Sequence, residues 1–217
     1  MQMTLNSVAF DELFEFKTEF KTHTETIGDF VDRIVRTANA ENRTGIECQP
    51  DGCVWVPTKK VVFIESTDEA GRVLWDRIEG VSRHPVLNAD GSSDMMRVTT
   101  TSNRSVTATM GESLLRLDAE TNKLVRVRSD QLRMTDWLPV LKSKVLAADL
   151  KSVREFSDKI VLEKVRTIER IPYDHPYAYD LTVARTRNMT LANGLCVFDT
   201  FHFAGTQKPG VVLGVPR

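Results

Sequence analysis

Short runs of alternating apolar and polar residues dominate this chain and predict strands. β-Branched residues are common in these runs, as expected on a half-buried pleated surface. Turn sequences separate them, such as DEAG from Asp68, NADGSS from Asn88, DAETN from Asp118 and ANG from Ala192. The predicted strands are Val54–Val56, Lys60–Ser66, Val73–Ile78, Met96–Thr101, Ser105–Thr109, Leu114–Asp118, Leu124–Arg128, Ile160–Arg170, Tyr177–Val183 and Leu195–Phe198.

One segment has the periodicity of a helix instead, and Thr26 is placed to cap its N-terminus. A weaker helical pattern spans residues 142 to 156. Together these patterns predict an all-β or β-rich domain with one or two short helices, and they leave a sandwich, a barrel and a less regular arrangement open. The apolar residues at positions i, i+3, i+4, i+7 and i+8 of the stronger helix are Ile27, Phe30, Val31, Ile34 and Val35.

Composition narrows the possible functions. The 217 residues carry a formal net charge of −1 and a pI near 6.4, so no basic surface indicates nucleic-acid binding or an anionic membrane. No apolar run approaches the roughly 20 residues that span a bilayer, and the N-terminus lacks a signal-peptide layout. We therefore expect a monomer in the cytosol or nucleus that requires no partner.

The three cysteines do not form a recognisable metal motif. Cys48 and Cys53 lie within a turn-forming sequence, ECQPDGC, and Cys196 is far from both. A zinc site would need further cysteine or histidine ligands at a matching spacing. We expect reduced thiols, with no metal and no cofactor.

The sequences at the two ends of the chain read as one continuous sequence when they are joined. Residues 1–6 and residues 200–217, when joined, read QMTLN–TFHFAG…LGVPR. This sequence resembles the trigger-loop region of the largest subunit of DNA-directed RNA polymerase. The resemblance implies that residues 7–199 are an insertion in that loop.

The edges and interior of the insertion resemble inteins, which are protein-splicing domains. The sequence YDLTVARTRNMTLANGLCVFDT, from Tyr179, is similar to their C-terminal splicing blocks. RSVTATMGESLL, from Arg104, is similar to their T-x-x-H block, and SVAFDELFEF occupies the position of their first block. These blocks occur in the family's order and are framed by the split polymerase motif.

The resemblance implies the fold of the family, a flattened, horseshoe-like β domain called the Hint fold that brings both termini together. The stretch from Asp118 to Ser157 is too short for the homing endonuclease that many inteins carry there, so the chain is similar to a mini-intein. A remnant of a linker is expected near residues 142–158. The implied organisation is an N-terminal flank of residues 1–6, a splicing domain of residues 7–199 and a C-terminal flank of residues 200–217.

The resemblance also implies roles for residues at the upstream junction. Ser7 would attack the carbonyl carbon of Asn6 to form an ester, although its hydroxyl ionises far less readily than a cysteine thiol. Thr109 matches the block threonine and would hydrogen-bond the scissile junction. Glu112 stands where relatives have a histidine, and only burial would let its carboxyl donate a proton near neutral pH.

Other matches fall at the downstream junction. Asp180 matches the block aspartate that assists the first nucleophile. Asp199 stands where most relatives have asparagine and would release the insertion through an anhydride-like intermediate or assisted hydrolysis, while Thr200 would be the second nucleophile. Arg187 and Phe198 both stand where relatives have histidine, and Arg187 would either hold an oxyanion or form a surface ion pair. His84 and His175 each precede a proline, and we predict structural roles for both.

The function implied is autocatalytic splicing that joins Asn6 to Thr200. Because both flanks belong to one continuous chain, we interpret the sequence as an unspliced precursor whose reaction is slow, conditional or blocked. Either Ser7 replaces a cysteine and so traps the precursor, or Ser7 is native and the reaction awaits a trigger. The alternative is a decayed or cleavage-only domain retained as a structural insertion, and an accessory polymerase domain is a third reading.

Overall fold

The computed structural model describes residues 6–199, which form strands and one α-helix, α1 (Ile27–Ala40). The strands are β1 (Leu13–Lys17), β2 (Thr22–Thr26), β3 (Glu47–Cys48), β4 (Val54–Pro57), β5 (Phe63–Thr67), β6 (Val73–His84), β7 (Met95–Thr100), β8 (Ser105–Ala108), β9 (Leu114–Asp118), β10 (Lys123–Val127), β11 (Trp137–Leu141), β12 (Arg154–Glu155), β13 (Ile160–Ile171), β14 (Ala178–Val183), β15 (Asn188–Thr190) and β16 (Cys196–Phe198).

Two long strands connect the parts of this β-rich fold. The first part of β6 pairs with β5, and its second part pairs with β4 and β14. In the same way, β13 pairs first with β11 and β12 and then with β7, and the β7 pairing contains a register shift between Val165 and Thr167. A smaller sheet in the order β10-β9-β16-β15 brings the C-terminal strands beside β9. All of these pairings are antiparallel, and the predicted β-rich class is confirmed.

The amphipathic helix is confirmed, together with its cap. The Thr26 hydroxyl accepts a hydrogen bond from the Asp29 amide at 3.2 Å, which satisfies one of the amides that a helix start leaves without a partner. Phe30 on this helix contacts two aromatic side chains of β1, Phe14 and Phe16, at ring-centroid separations of 5.1 and 4.9 Å. The apolar face therefore anchors the helix on the first hairpin.

The second helix is a wrong prediction. The segment forms 3-10 turns at Lys142–Lys144 and Asp149–Lys151 and then the short strand β12, which pairs with β13. Leu146 is 70% exposed and Leu150 is 39% exposed, while Val145 and Val153 pack against the core, so the apolar side chains of this segment do not share one buried helical face. Without such burial, a short helical pattern is not stable in water.

Each strand predicted from alternation has a counterpart in the structure, with ends shifted by at most three residues except in β6, which continues six residues beyond the predicted end at Ile78. The pattern missed several strands, β1, β2 and β11 among them. The β1–β2 hairpin is rich in threonine, lysine and glutamate, so its alternation is weak. Strand β11 contains Pro139, a residue found in sheets mainly where no ladder hydrogen bond is needed.

Residues 8 and 9 enter the fold as an added strand segment. Val8 lies between β8 and β14, where it bridges both Ala108 and Tyr179. The Val8 amide donates to the Tyr179 carbonyl at 2.9 Å, and the Tyr179 amide donates back at 3.0 Å. The Ala9 amide donates to the Thr107 carbonyl at 2.9 Å. This pairing fixes the position of the residue immediately before it, Ser7.

Candidate active site

Ser7 is buried, with 2% of its surface exposed, and its backbone is held from two sides. Its amide donates to the Thr109 hydroxyl at 3.0 Å and to the Ser113 hydroxyl at 3.3 Å. Its carbonyl accepts from the Thr109 amide at 2.9 Å. Since Thr109 directly follows β8, the end of that strand sets the orientation of the Asn6–Ser7 peptide bond.

The Ser7 hydroxyl oxygen lies between two groups. It is 2.5 Å from the carbonyl oxygen of Asn6 and 2.8 Å from Nε2 of His84. His84 is the last residue of β6 and is buried, and its Nδ1 lies 2.9 Å from the Pro85 carbonyl oxygen. Burial lowers the pKa of the His84 imidazole, while the Pro85 carbonyl and the Asp51 charge act in the opposite direction.

A tight loop positions Asp199, the last residue that the structure describes. The Asp199 amide donates to the Arg187 carbonyl at 2.7 Å, and Arg187 has the left-handed backbone φ of 59°. Buried Asp76 holds this loop because its carboxylate accepts from the amides of Arg185 and Thr186 at 3.0 and 2.9 Å. These amide hydrogen bonds contribute to keeping the pKa of Asp76 below its ordinary value, against the opposing effect of burial.

The Asp199 carboxylate is fully buried and accepts from two elements. The Val183 amide donates to it at 2.9 Å, and a guanidinium nitrogen of Arg187 lies 3.5 Å away. The register of β14 against β6 shifts between Thr182 and Val183, as at a β-bulge. Such an irregularity leaves a backbone amide outside the ladder, which here points at Asp199.

Asp180 lies in β14 beside the residue that pairs with Val8, which places it near Ser7 in the strand register. It is 1% exposed, and its carboxyl accepts from the Leu181 amide at 2.8 Å. Burial, followed by the nearby charge of Asp199, raises the pKa of Asp180 well above its usual range. The two carboxyls therefore form a buried pair in which ionising both is unfavourable.

Ser113 connects Ser7 with the C-terminal strand β16. Its hydroxyl accepts from the Ser7 amide, and its carbonyl accepts from the Phe198 amide at 2.9 Å. Val197 pairs with Leu114 in the adjoining register. One buried serine thus contacts residues that are almost 200 positions apart in sequence. The arrangement can bring two distant peptide bonds together for acyl transfer.

Comparison with known proteins agrees with this geometry. The model of the intein splicing domain family matches residues 19–198. The chain belongs to the intein splicing domain family. Domains of this family carry out autocatalytic protein splicing in cis. No curated protein sequence matches the chain.

Solved inteins share the fold. The crystal structure of the transcription factor IIB Mvu mini-intein superposes with a TM-score of 0.69 at 21% identity, covering 89% of this chain and 99% of that one. For the PabCDC21-1 intein, the TM-score is 0.70 at 16% identity, with 92% and 100% coverage. The solution structure of a KlbA intein precursor from Methanococcus jannaschii has a TM-score of 0.67 at 18% identity, with 96% and 97% coverage. The expected Hint fold is confirmed.

The intein fold brings several of the predicted site residues together. Ser7 and Thr109 are in direct contact, and Asp180 and Asp199 form the neighbouring carboxyl pair. Glu112 lies apart from them. Among the described residues its carboxylate pairs with Arg126 at 3.3 Å, and its side chain is 47% exposed. Thr200, the predicted second nucleophile, lies outside the described residues.

Two further residues at this intein site were not identified from the sequence. His84 was assigned a structural role because a histidine before proline is common in turns, and Ser113 was not singled out. The local sequence around these two residues does not show that either one contacts Ser7. Only Ser113 could have been identified from the sequence, because it lies four residues after Thr109 in the T-x-x-H-like block.

The described residues contain no cluster of three or more histidine, cysteine, aspartate or glutamate side chains suited to hold a metal. Cys48 is exposed, while Cys53 and Cys196 are buried, and none of the three forms a disulfide. Burial raises the pKa of both buried thiols to about 12, so neither is a thiolate near neutral pH. Within the described range, no helix has the length and apolar character needed to cross a membrane.

Proposed function

We propose that this intein excises residues 7–199 and joins Asn6 to Thr200. The observation that carries the proposal is the double contact of Ser113, which holds the Ser7 amide and the Phe198 amide at one place. Splicing needs both junctions within reach of one another, because an acyl group passes directly from one nucleophile to the next. A domain retained only as a structural insertion would not need this convergence.

The first step is an acyl shift at the upstream junction. The Ser7 oxygen bonds to the Asn6 carbonyl carbon, the bond from that carbon to the Ser7 nitrogen breaks, and an ester and a free amine result. Thr109 and Ser113 hydroxyls at the scissile nitrogen orient the peptide bond for this attack. Because an ester is less stable than an amide, the site must favour the shift by orienting and polarising the bond.

In the second step the Thr200 oxygen bonds to the Asn6 carbonyl carbon and the bond from that carbon to the Ser7 oxygen breaks, while Thr200 gives up its hydroxyl proton and the departing Ser7 oxygen takes one up. We assign Asp180 to this stage, since its carboxyl is close to Asp199 and it follows Tyr179, the β14 residue that pairs with Val8. A carboxyl whose pKa is raised by burial and by a neighbouring negative charge retains a proton that it can donate.

Release of the insertion follows from Asp199. Its side-chain carboxylate attacks its own backbone carbonyl carbon, and the Thr200 nitrogen leaves as an amine and takes up a proton. The product is a cyclic anhydride that water opens. The Thr200 amine then attacks the ester and restores an ordinary peptide bond between Asn6 and Thr200. Arg187 neutralises part of the carboxylate charge and stabilises the negative oxygen that forms during attack.

Intact mass measurement over time tests this function. Incubation of the full chain should produce residues 7–199 as a free protein and a peptide in which residues 1–6 continue into residues 200–217. The variant Ser7→Cys should proceed faster, because a thiol ionises more readily than a hydroxyl. Two separate flank peptides instead of the joined one would support the cleavage-only alternative. An unchanged mass in both proteins would contradict splicing and favour a decayed domain.

We further propose that the host is the largest subunit of an RNA polymerase, interrupted in its trigger loop. The support is the joined flank sequence, QMTLN–TFHFAG…LGVPR. RNA polymerase purified from the source cells should yield a tryptic peptide that runs from Asn6 directly into Thr200. Its absence from an otherwise complete peptide map of the subunit would contradict the host assignment and leave the splicing assignment unaffected.

A further inference from the structure

His84 contacts the atom that must become nucleophilic. Its Nε2 lies 2.8 Å from the Ser7 hydroxyl oxygen, and both side chains are buried. Residues 77 positions apart meet because His84 ends β6 opposite Ala178, next to Tyr179, which pairs with Val8. The contact is therefore fixed by two strand pairings and does not depend on a loop.

The other ring nitrogen defines the hydrogen-bonding direction. Nδ1 of His84 lies 2.9 Å from the carbonyl oxygen of Pro85, which can only accept a hydrogen bond. Nδ1 therefore carries a proton, and in the neutral ring Nε2 presents its lone pair to Ser7. The single Ser7 hydroxyl proton has two acceptors within reach, the Asn6 carbonyl oxygen and His84 Nε2. Only donation to Nε2 leaves the serine oxygen free to attack the carbonyl carbon.

We propose that His84 is the catalytic base for the first splicing step. The proposal rests on the splicing function proposed above and adds a residue to it. A serine needs a base more than a cysteine does, because its hydroxyl is almost entirely protonated near neutral pH. The residue at the block-histidine position, Glu112, pairs with Arg126 and does not contact Ser7.

One histidine can account for the proton transfers of this step. As the Ser7 oxygen bonds to the Asn6 carbonyl carbon, the hydroxyl proton moves to His84 Nε2. When the bond between that carbon and the Ser7 nitrogen breaks, the imidazolium returns this proton to the leaving nitrogen. The products are an ester and a neutral amine, and His84 is neutral again. The same group thus serves as base and then as acid.

The surroundings of His84 favour the neutral imidazole, but a negative charge that would stabilise the imidazolium is also nearby. Burial disfavours the imidazolium, the Asp51 carboxylate favours it, and the buried Cys53 thiol nearby is protonated. Asp180 lies close enough to influence Cys53 and holds its own proton more strongly than usual. A transient imidazolium therefore has a carboxylate to stabilise it.

The test measures ester formation alone. In an Asp199→Ala background, release is blocked, and hydroxylamine cleaves the Ser7 ester to liberate residues 1–6 as a hydroxamate that mass spectrometry quantifies. We expect His84→Gln to slow this cleavage by about 10²- to 10⁴-fold, the usual range for loss of a general base. His175→Gln is the matched control, since His175 also precedes proline but stacks on Phe10, and it should cleave at the parent rate.

A second background separates proton transfer from positioning. With Ser7→Cys added, the penalty of His84→Gln should shrink to below about 10-fold, because a thiol needs less help to ionise. Near-parental cleavage by His84→Gln would overturn the proposal, and so would an equally large loss in the Ser7→Cys background. If the folded parent gives no hydroxamate even with Ser7→Cys, the splicing chemistry itself fails, and the role of His84 fails with it.

Discussion

The upstream and downstream junctions of this intein are built from different chemistry. Around Ser7 the contacts are neutral, consisting of two hydroxyls, backbone groups and a buried imidazole. Around Asp199 the groups are ionisable, with a second carboxyl and a guanidinium nearby. In the proposed reaction, the upstream site would orient one bond and remove one proton, whereas the downstream site would control where a negative charge resides. The two halves should therefore respond differently to substitution and to pH.

The largest effect is expected at the downstream junction. Asp199→Ala removes the side chain that attacks its own carbonyl carbon, so the joined flank peptide should fall below detection while upstream ester formation continues. Mass spectrometry of the full chain, with and without hydroxylamine, measures both reactions. The isosteric variant Asp199→Asn is the control, and it should restore joined flanks through a succinimide. Joined flanks from Asp199→Ala would refute the assigned release step.

Asp180→Asn should have the next largest effect and should separate activity from stability. The variant cannot donate or take up a proton, so we expect joined-flank formation to slow by about 10²-fold. The folded-state pKa of Asp180 is raised, so the unfolded chain ionises first as pH rises. The folding stability contributed by this group is therefore present at low pH and declines as pH rises from about 4 towards the folded pKa.

The amide of Asp180→Asn does not ionise, so this decline should be smaller in the variant. Urea unfolding at pH 4 and pH 7 measures it, and the difference in unfolding free energy between the two pH values should be smaller than in the parent. A variant that loses both splicing and stability at pH 7 would show that the Asp180 carboxylate is a structural partner and would contradict its role in the reaction.

Thr109→Ala tests the neutral half of the comparison and should have a moderate effect. The variant removes one of the two hydroxyls that accept from the Ser7 amide and leaves Ser113 in place. The lost hydrogen bond is worth about 1 kcal/mol, which corresponds to roughly 5- to 10-fold slower ester formation. Thr109→Ser keeps the hydroxyl and should retain most of the rate. The hydroxylamine assay measures both variants. Equal losses in the two would indicate that packing of the threonine methyl group matters more than its hydrogen bond.

The sequence predicted the scaffold better than the reacting contacts. Alternation located the strands that are half buried, and the apolar stripe with Thr26 located α1, because both signals come from local burial. Prediction from local patterns failed where burial depends on contacts with residues far away in the sequence. Leu146 and Leu150 mimic a helical face, but neither is buried by the rest of the fold.

The same contrast between local sequence signals and long-range contacts applies to the candidate site. Sequence blocks single out Ser7, Thr109, Asp180 and Asp199 as candidates, and the fold brings Ser7 against Thr109 and Asp180 beside Asp199. His84 was missed because its contact with Ser7 arises from the register of β6 against β14 and of β14 against Val8. Nothing in the local sequence SRHP contains that information.

Glu112→Gln should have the smallest effect and decides between two candidates for proton transfer. The sequence placed Glu112 at the position of a proton donor, whereas its carboxylate pairs with Arg126 in a half-exposed setting. An exposed ion pair contributes at most about 1 kcal/mol, a factor of about 5 in rate, so we expect ester formation within about 5-fold of the parent rate. Arg126→Gln is the matched control, since it breaks the same pair from the other side. A loss of more than 10-fold in Glu112→Gln alone would return the acid role to Glu112, because disruption of the pair should affect both variants equally.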